Sequence, residues 1–324
     1  MRAVDFFENA VDPFKRLFWR AQIRILRACP PLAGVVSKVN LGAAYSRRVW
    51  LKTLFQTAAQ APGALFLHGR NQREGRIVAA RVTLFITTRC TLSCDKCIAH
   101  VPDRASRGDI PLQELARDIR CLLSCVDHIY DVFLTGGETL LHPDLDEIIR
   151  ICVDSGKVSH VSVPTNGTVL PEAKTLAALR NPKVTVKISR YPAVLQPDAD
   201  TLKSLLRENG IRFTHASGAF WFDTGDGRLQ AGSEKRRFSV CLQQLCFFCF
   251  HGKLHVCSEG AFLVEAGLAP DCKEDYIDLR SVSPAAFQGE WRALLKKRTL
   301  STCSHCLGHT YKSPKVPVAV QRKK

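Results

Sequence analysis

A chain of 324 residues, 46% of them apolar, can bury a full core with a small appended unit. Its formal charge of +16 is concentrated at the two ends: residues 1–77 hold thirteen Lys/Arg against four Asp/Glu, residues 311–324 hold five basic side chains and no acid, and the middle is almost neutral. That distribution excludes the broad basic face expected of a nucleic-acid binder, and no uninterrupted apolar run is long enough to span a bilayer.

Fourteen cysteines without a signal-peptide pattern point to a reducing, cytoplasmic setting and to metal ligation rather than disulfides. The basic amino-terminal part, residues 1–77, reads as a mainly helical extension. Within it Phe14 to Ala28 forms an amphipathic helix candidate, with Arg16, Arg20, Arg24 and Arg27 on one stripe and Leu17, Phe18, Ala21 and Ile25 near the other side. Such a helix can lie on an anionic membrane surface, dock a protein partner or pack on the body with its basic face in water. Pro30-Pro31 ends it.

The next element is a buried strand at Arg81–Ile86, β-branched and apolar. It leads into Cys90-Thr-Leu-Ser-Cys94-Asp-Lys-Cys97, a C-x3-C-x2-C spacing. Three thiolates on one tight loop can hold three corners of an iron–sulfur cubane, which normally takes four cysteines; the fourth iron is then left for a small molecule. Zinc sites favour paired C-x2-C units, which this triplet fits poorly. A helical pattern over Pro111–Leu123 follows, then a second apolar strand, Asp131–Thr135, ending in Gly136-Gly137-Glu138. Paired glycines allow close approach of backbone to a ligand and positive φ, and the carboxylate can accept hydrogen bonds from an ammonium group.

Further strands end at Thr165-Asn166-Gly167 and at Ser189, with helical patterns at Leu145–Cys152, Lys174–Leu179 and Leu202–Leu206. Strand alternating with helix implies a parallel sheet covered by helices. Ligands in such folds sit at the carboxyl ends of the strands, where the cysteine loop, Glu138, Asn166 and Ser189 all fall. Cys121, Cys125 and Cys152 lie on helical faces and read as buried structural thiols.

Together these motifs resemble the radical S-adenosylmethionine (AdoMet) superfamily. The resemblance covers about residues 78–230 and implies an α/β fold, a partial (β/α)6 TIM-type barrel. It implies a [4Fe-4S] cluster on Cys90, Cys94 and Cys97 whose open iron chelates the amine and carboxylate of AdoMet. Gly136, Gly137 and Glu138 would bind the AdoMet amino group, Ser189 the ribose, and Asn166 would add a ligand contact. One departure is Lys96, which stands where many members carry an aromatic residue before the third cysteine.

Behind the barrel, Cys241 and Cys257 form C-x10-G-x4-C around Gly252, and Cys303-Ser-His-Cys306 follows. This order resembles the SPASM and twitch extensions of the family. No cysteine follows Cys306 in the sequence, so a twitch-type, cysteine-rich α+β subdomain over residues 231–310 is expected, with an auxiliary [4Fe-4S] cluster on Cys241, Cys257, Cys303 and Cys306. Cys246, Cys249 and Cys272 leave alternatives open: one could replace an assigned ligand, Cys246 and Cys249 could hold zinc, or they could pack among Phe247, Phe248 and Phe250. Residues 311–324 read as a mobile basic tail.

The resemblance implies radical chemistry, with dehydrogenation of a carbohydrate- or cyclitol-like alcohol as the leading expectation, as in the 2-deoxy-scyllo-inosamine dehydrogenase type. Arg190, Tyr191, Trp221 and Asp223 are then candidate contacts for a small-molecule or carbohydrate substrate. A reductant such as a flavodoxin or ferredoxin is also implied. Two rivals stand beside this expectation: a peptide-modifying maturase of the same architecture, and a non-catalytic iron–sulfur or zinc scaffold.

Overall fold

Ten residues rich in Val, Ala, Ile and Phe, Val78–Thr87, form the first strand, β1. This is a computed structural model, and it describes residues 69–322 except 72, 105–106, 216–219, 231, 246 and 311. The Phe14–Ala28 helix, nearly all of the basic extension and Cys246 lie outside the described residues.

Four more strands follow, with a helix before each of the next: β2 (His128–Gly136), β3 (Val161–Thr165), β4 (Val184–Ile188) and β5 (Phe213–His215). Each pairs in parallel with its predecessor, so the order β1 to β5 runs unbroken across the sheet. The register lines up Val82, Val132, Val161 and Val184 in one row, and all four are buried. Such a row of branched side chains is what a sheet covered by helices requires.

The covering helices are α1 (Leu112–Cys125), α2 (Leu145–Asp154), α3 (Ala173–Leu179) and α4 (Ala199–Glu208). Their buried residues fall at helical spacing, as in Leu115, Ile119, Leu122 and Leu123 on α1 and Leu145, Ile148, Ile149 and Cys152 on α2. Each fully buried Leu or Ile contributes about 1.5–3 kcal/mol. Cys125 and Cys152 are buried and Cys121 packs half-buried against the same core, consistent with structural thiols.

A sixth parallel strand completes the set, but from an unexpected segment. β6 (Trp221–Phe222) stands outside the main sheet, whereas β7 (Phe247–Phe250) pairs in parallel with the free side of β1, Val82 opposite Phe247. The sheet then continues through antiparallel β8 (Lys253–His255) and β9 (Tyr276–Asp278). The order is β5-β4-β3-β2-β1-β7-β8-β9, an open sheet and not a closed barrel, and it runs without a break across the expected boundary at residues 230/231. All four residues of β7 are buried, so hydrophobic burial on both faces places it against β1. Phe247 stacks on Trp291 of α6 (Pro284–Lys296), with ring centroids 4.1 Å apart. On the other face Phe85, Phe248, Phe250 and Phe262 of α5 (Ser258–Glu265) form an aromatic cluster.

β7 turns into β8 through His251 and Gly252, whose φ values of 47° and 74° are those of a two-residue primed hairpin turn. A Cβ at Gly252 would also lie 2.3 Å from Arg280 Nε. Arg280 is held by Asp118 and Glu114 of α1, each at 2.7 Å. The glycine of C-x10-G-x4-C therefore serves a turn and an ion-pair network.

The expectation of a mobile tail is corrected for residues 312–322. β10 (Lys315–Val316) pairs antiparallel with β6, Ala319 is buried, and Asp95 N–H donates to the Val320 carbonyl at 2.6 Å. Acidic partners explain this, since Arg322 makes a two-pronged contact with Asp103 at 2.6 and 3.1 Å. Among the described residues no helix is long and apolar enough to cross a membrane.

Candidate active site

β1 ends at Thr87, and the chain enters the cysteine loop under tight control. Thr87 Oγ1 donates to Asp109 at 2.6 Å, and Arg89 pairs with the same carboxylate at 2.9 Å. Gly137 N–H donates to the Thr87 carbonyl at 2.9 Å and Glu138 N–H to that of Arg89 at 2.7 Å. The end of β2 thus clamps the start of the loop.

Cys90, Cys94 and Cys97 line one cavity of about 460 Å³, shared with Gly136, Gly137, Asn166 and Ser189 from the ends of β2, β3 and β4. Burial pushes the Cys90 thiol up to about 11, partly offset by the Leu92 N–H, and raises Cys94 and Cys97 as well. Bare, these thiols hold their protons at neutral pH; a metal would have to displace them. Among the described residues the cavity wall carries Arg81 and Lys96 but no carboxylate, so the thiolates would be its anionic donors. Three thiols on one loop facing a roomy cavity suit a cluster with one iron open to a ligand. Among the described residues no three His, Cys, Asp or Glu side chains converge as the donors of a single ion must.

One expected backbone feature changes. Neither Gly136 nor Gly137 has positive φ. Their requirement is space: a Cβ at Gly136 would meet the Thr87 carbonyl at 2.3 Å, and one at Gly137 the Arg89 carbonyl at 2.2 Å. Glu138 is fully buried and absent from the cavity wall. Its oxygens accept the Leu140 N–H at 3.0 Å and the Asn166 N–H at 2.7 Å. The carboxylate ties β2 to β3, and the glycine backbone borders the cavity.

Burial moves the Glu138 carboxyl from 4.5 up to about 7. Because its folded value is raised, its share of stability is full below about 4.5 and is lost as pH rises to about 7, a span of roughly 3 kcal/mol. Thermal unfolding from pH 5 to 8 should show this decline, and Glu138→Gln should flatten it; an unchanged slope in the variant would refute the assignment.

Asn166 and Ser189 stay in the cradle. Asn166 Nδ2 donates to Thr91 Oγ1 at 3.0 Å and to Cys90 Sγ at 3.7 Å. Gln196, which no motif marks, donates Nε2–H to the carbonyls of Asn166 and Ser189 and accepts the Tyr191 N–H at 2.9 Å. Tyr191 hydrogen-bonds Ser189, and burial raises its hydroxyl above the usual range. Its ring meets Trp221 edge-on, centroids 5.9 Å apart, and both line the cavity. Arg190 and Asp223 do not line it. Asp223 instead pairs with Lys96 at 3.1 Å, linking the cysteine loop to the segment after β6.

A second cavity, of about 30 Å³, is lined by Cys241, Cys257, Cys303 and Cys306 together. Burial raises the Cys257 thiol well above its normal value, and the other three thiols raise it further. Four cysteines around one small cavity supply the four thiolates a cubane takes, so the donor set fits an iron–sulfur cluster. Cys249 lies elsewhere, on β7 near Asp118 and Arg280. Cys272 borders a separate small pocket behind Cys257 with His255. Gln243 and His309, unsignalled in the sequence, line both large and small thiol cavities.

With this geometry, comparison with known proteins is decisive for one stretch. Residues 84–189, from β1 to the end of β4, match the family described as "Radical SAM superfamily". This chain is 34% identical over 92 residues to GTP 3',8-cyclase of Stenotrophomonas maltophilia (strain R551-3), covering 27% of each chain. It is 38% identical over 96 residues to a probable GTP 3',8-cyclase of Methanocella arvoryzae, covering 29% of this chain and 28% of that one. The match thus spans little more than a quarter of those relatives' length. Among solved structures, BtrN in complex with AdoMet and 2-DOIA aligns with a TM-score of 0.52 at 12% identity, over 75% of this chain and 97% of that one. That likeness shows a shared fold.

Proposed function

We propose that this protein is a radical AdoMet enzyme that dehydrogenates an alcohol on a carbohydrate- or cyclitol-like substrate. The observation that carries the proposal is the pairing of two thiol cavities, one with three cysteines at the open end of the parallel sheet, the other with four, sharing Gln243 and His309 as walls. When bound on Cys90, Cys94 and Cys97, a [4Fe-4S] cluster supplies one electron to the AdoMet sulfonium, yielding methionine and a 5′-deoxyadenosyl radical.

The chain's own residues do the positioning. Gln196 and Glu138 fix the ends of β2, β3 and β4 against one another, so the cofactor and substrate would meet a rigid wall. Tyr191 and Trp221 offer an aromatic face on which the apolar side of a sugar ring can lie, and Ser189 offers a hydroxyl. Converting H–C–OH to C=O removes a hydrogen atom, a proton and an electron. The 5′-deoxyadenosyl radical would take the hydrogen atom and water the proton, while Cys241, Cys257, Cys303 and Cys306 would hold the cluster able to take the electron. The second cavity is what favours oxidation over a redox-neutral rearrangement.

Sugar and cyclitol candidates deuterated at the carbinol carbon test the substrate class. Deuterium should appear in 5′-deoxyadenosine with a member of that class; transfer only from a deuterated peptide would overturn the reading in favour of peptide modification. Cys257→Ala should lower iron from about eight to about four per chain and spare AdoMet cleavage while stopping oxidation. Iron content with a 5′-deoxyadenosine assay checks this, and retention of all eight irons would remove Cys257 from the ligand set.

A further inference from the structure

The segment 312–322 reaches from β10 back to the cysteine loop, and its contact there is specific. Gln321 uses both ends of its amide. Its Oε1 accepts the Ser93 N–H at 2.9 Å, and its Nε2 donates to Cys94 Sγ at 3.2 Å. The backbone follows suit: Asp95 N–H donates to the Val320 carbonyl at 2.6 Å and Arg322 N–H to the Ser93 carbonyl at 2.8 Å. Arg322 then closes the strap on Asp103. The middle cysteine of the loop is therefore flanked on both sides by a strand-like bridge from a distant part of the chain.

We propose that Gln321 is a positioning residue for the AdoMet-binding cluster, orienting Cys94 and setting the reduction potential of the iron–sulfur group it holds. The inference rests on the cluster reading of Cys90, Cys94 and Cys97. An N–H donor to a cysteine sulfur stabilises negative charge on it, and one more electron on the cluster raises that charge. Hydrogen bonds to sulfur are among the determinants of cluster potential. Removing this donor therefore makes the cluster harder to reduce. The strap also covers Cys94, which is 8% exposed, and keeps water from its sulfur.

Two substitutions separate orientation from folding. Gln321→Glu keeps an oxygen to accept the Ser93 N–H but loses the donor to sulfur and adds a negative charge. Gln321→Met loses both polar ends at similar length. In anaerobically reconstituted full-length protein, redox titration is followed by EPR, using the signal that changes on adding AdoMet. Both variants should titrate at more negative potential than wild type; a tenfold fall in the ratio of reduced to oxidised cluster at fixed potential corresponds to about 59 mV for one electron. An unshifted potential in both variants with iron retained would overturn the proposal. If a variant fails to retain iron, hydrogen exchange of the cluster-free proteins decides: faster exchange confined to residues 91–97 supports the positioning role, and exchange equal to wild type refutes it. Wild-type protein that itself builds no AdoMet-responsive cluster would refute the cluster reading instead.

Discussion

Alanine at Cys97 will abolish reductive cleavage of AdoMet and remove about four of the roughly eight irons per chain. The three thiols of the loop face one cavity with the ends of β2, β3 and β4, and two cysteines cannot hold three corners of a cubane. Among the described residues no carboxylate lines that cavity to stand in for the lost thiolate. The fold should survive: Cys97 is only partly buried against the core, and far-UV circular dichroism should be unchanged. Anaerobic incubation with dithionite and AdoMet, followed by chromatography for 5′-deoxyadenosine, reads the loss directly. Wild-type rates in Cys97→Ala would remove this cysteine from the chemistry.

The second large effect is on folding. Gly137→Ala should destabilise the protein by about 3 kcal/mol or more and prevent loading of the first cluster. The added Cβ would sit 2.2 Å from the Arg89 carbonyl oxygen, 2.8 Å from its carbon and 2.8 Å from Cys90 Cβ. Backbone atoms cannot rotate away as a side chain would, so the end of β2 must separate from the loop it clamps. Both contacts Gly137 N–H to Thr87 and Glu138 N–H to Arg89 would be strained together. Denaturant unfolding and iron content are the measurements; a variant within 0.5 kcal/mol of wild type, roughly the range of neutral surface changes, would contradict the close approach.

The elements with strong periodicity were legible in the sequence. The alternation of branched strands with Leu/Ile-striped helices from Val78 to Glu208 is what the structure contains, with ends shifted by a few residues. The cysteine spacings marked out two thiol sets, and each set lines one cavity in the structure. β7 was not legible: Phe247–Phe250 is a short, fully buried run without alternation, and its neighbouring thiols drew a metal reading. The orientation of Glu138 was hidden too, since a residue just past a strand end has no periodicity to say which way it points. The reason for Gly136 and Gly137 lies on β1's exit, at Thr87 and Arg89, and no spacing within the motif reveals it. Residues 312–322 looked like a solvated basic run because their partners, Asp95 and Asp103, lie in the cysteine loop and just beyond it. Gln196, His309 and Gln321 belong to no motif and emerge only from contacts that folding creates.

Iron, acid-labile sulfide and zinc counted per chain in anaerobically reconstituted protein test the two-cavity account most directly. About eight irons and eight sulfides, with no zinc, are expected from one cubane on three cysteines and another on four. About four irons with zinc beside them would assign the second thiol set to zinc and contradict the oxidative function built on it.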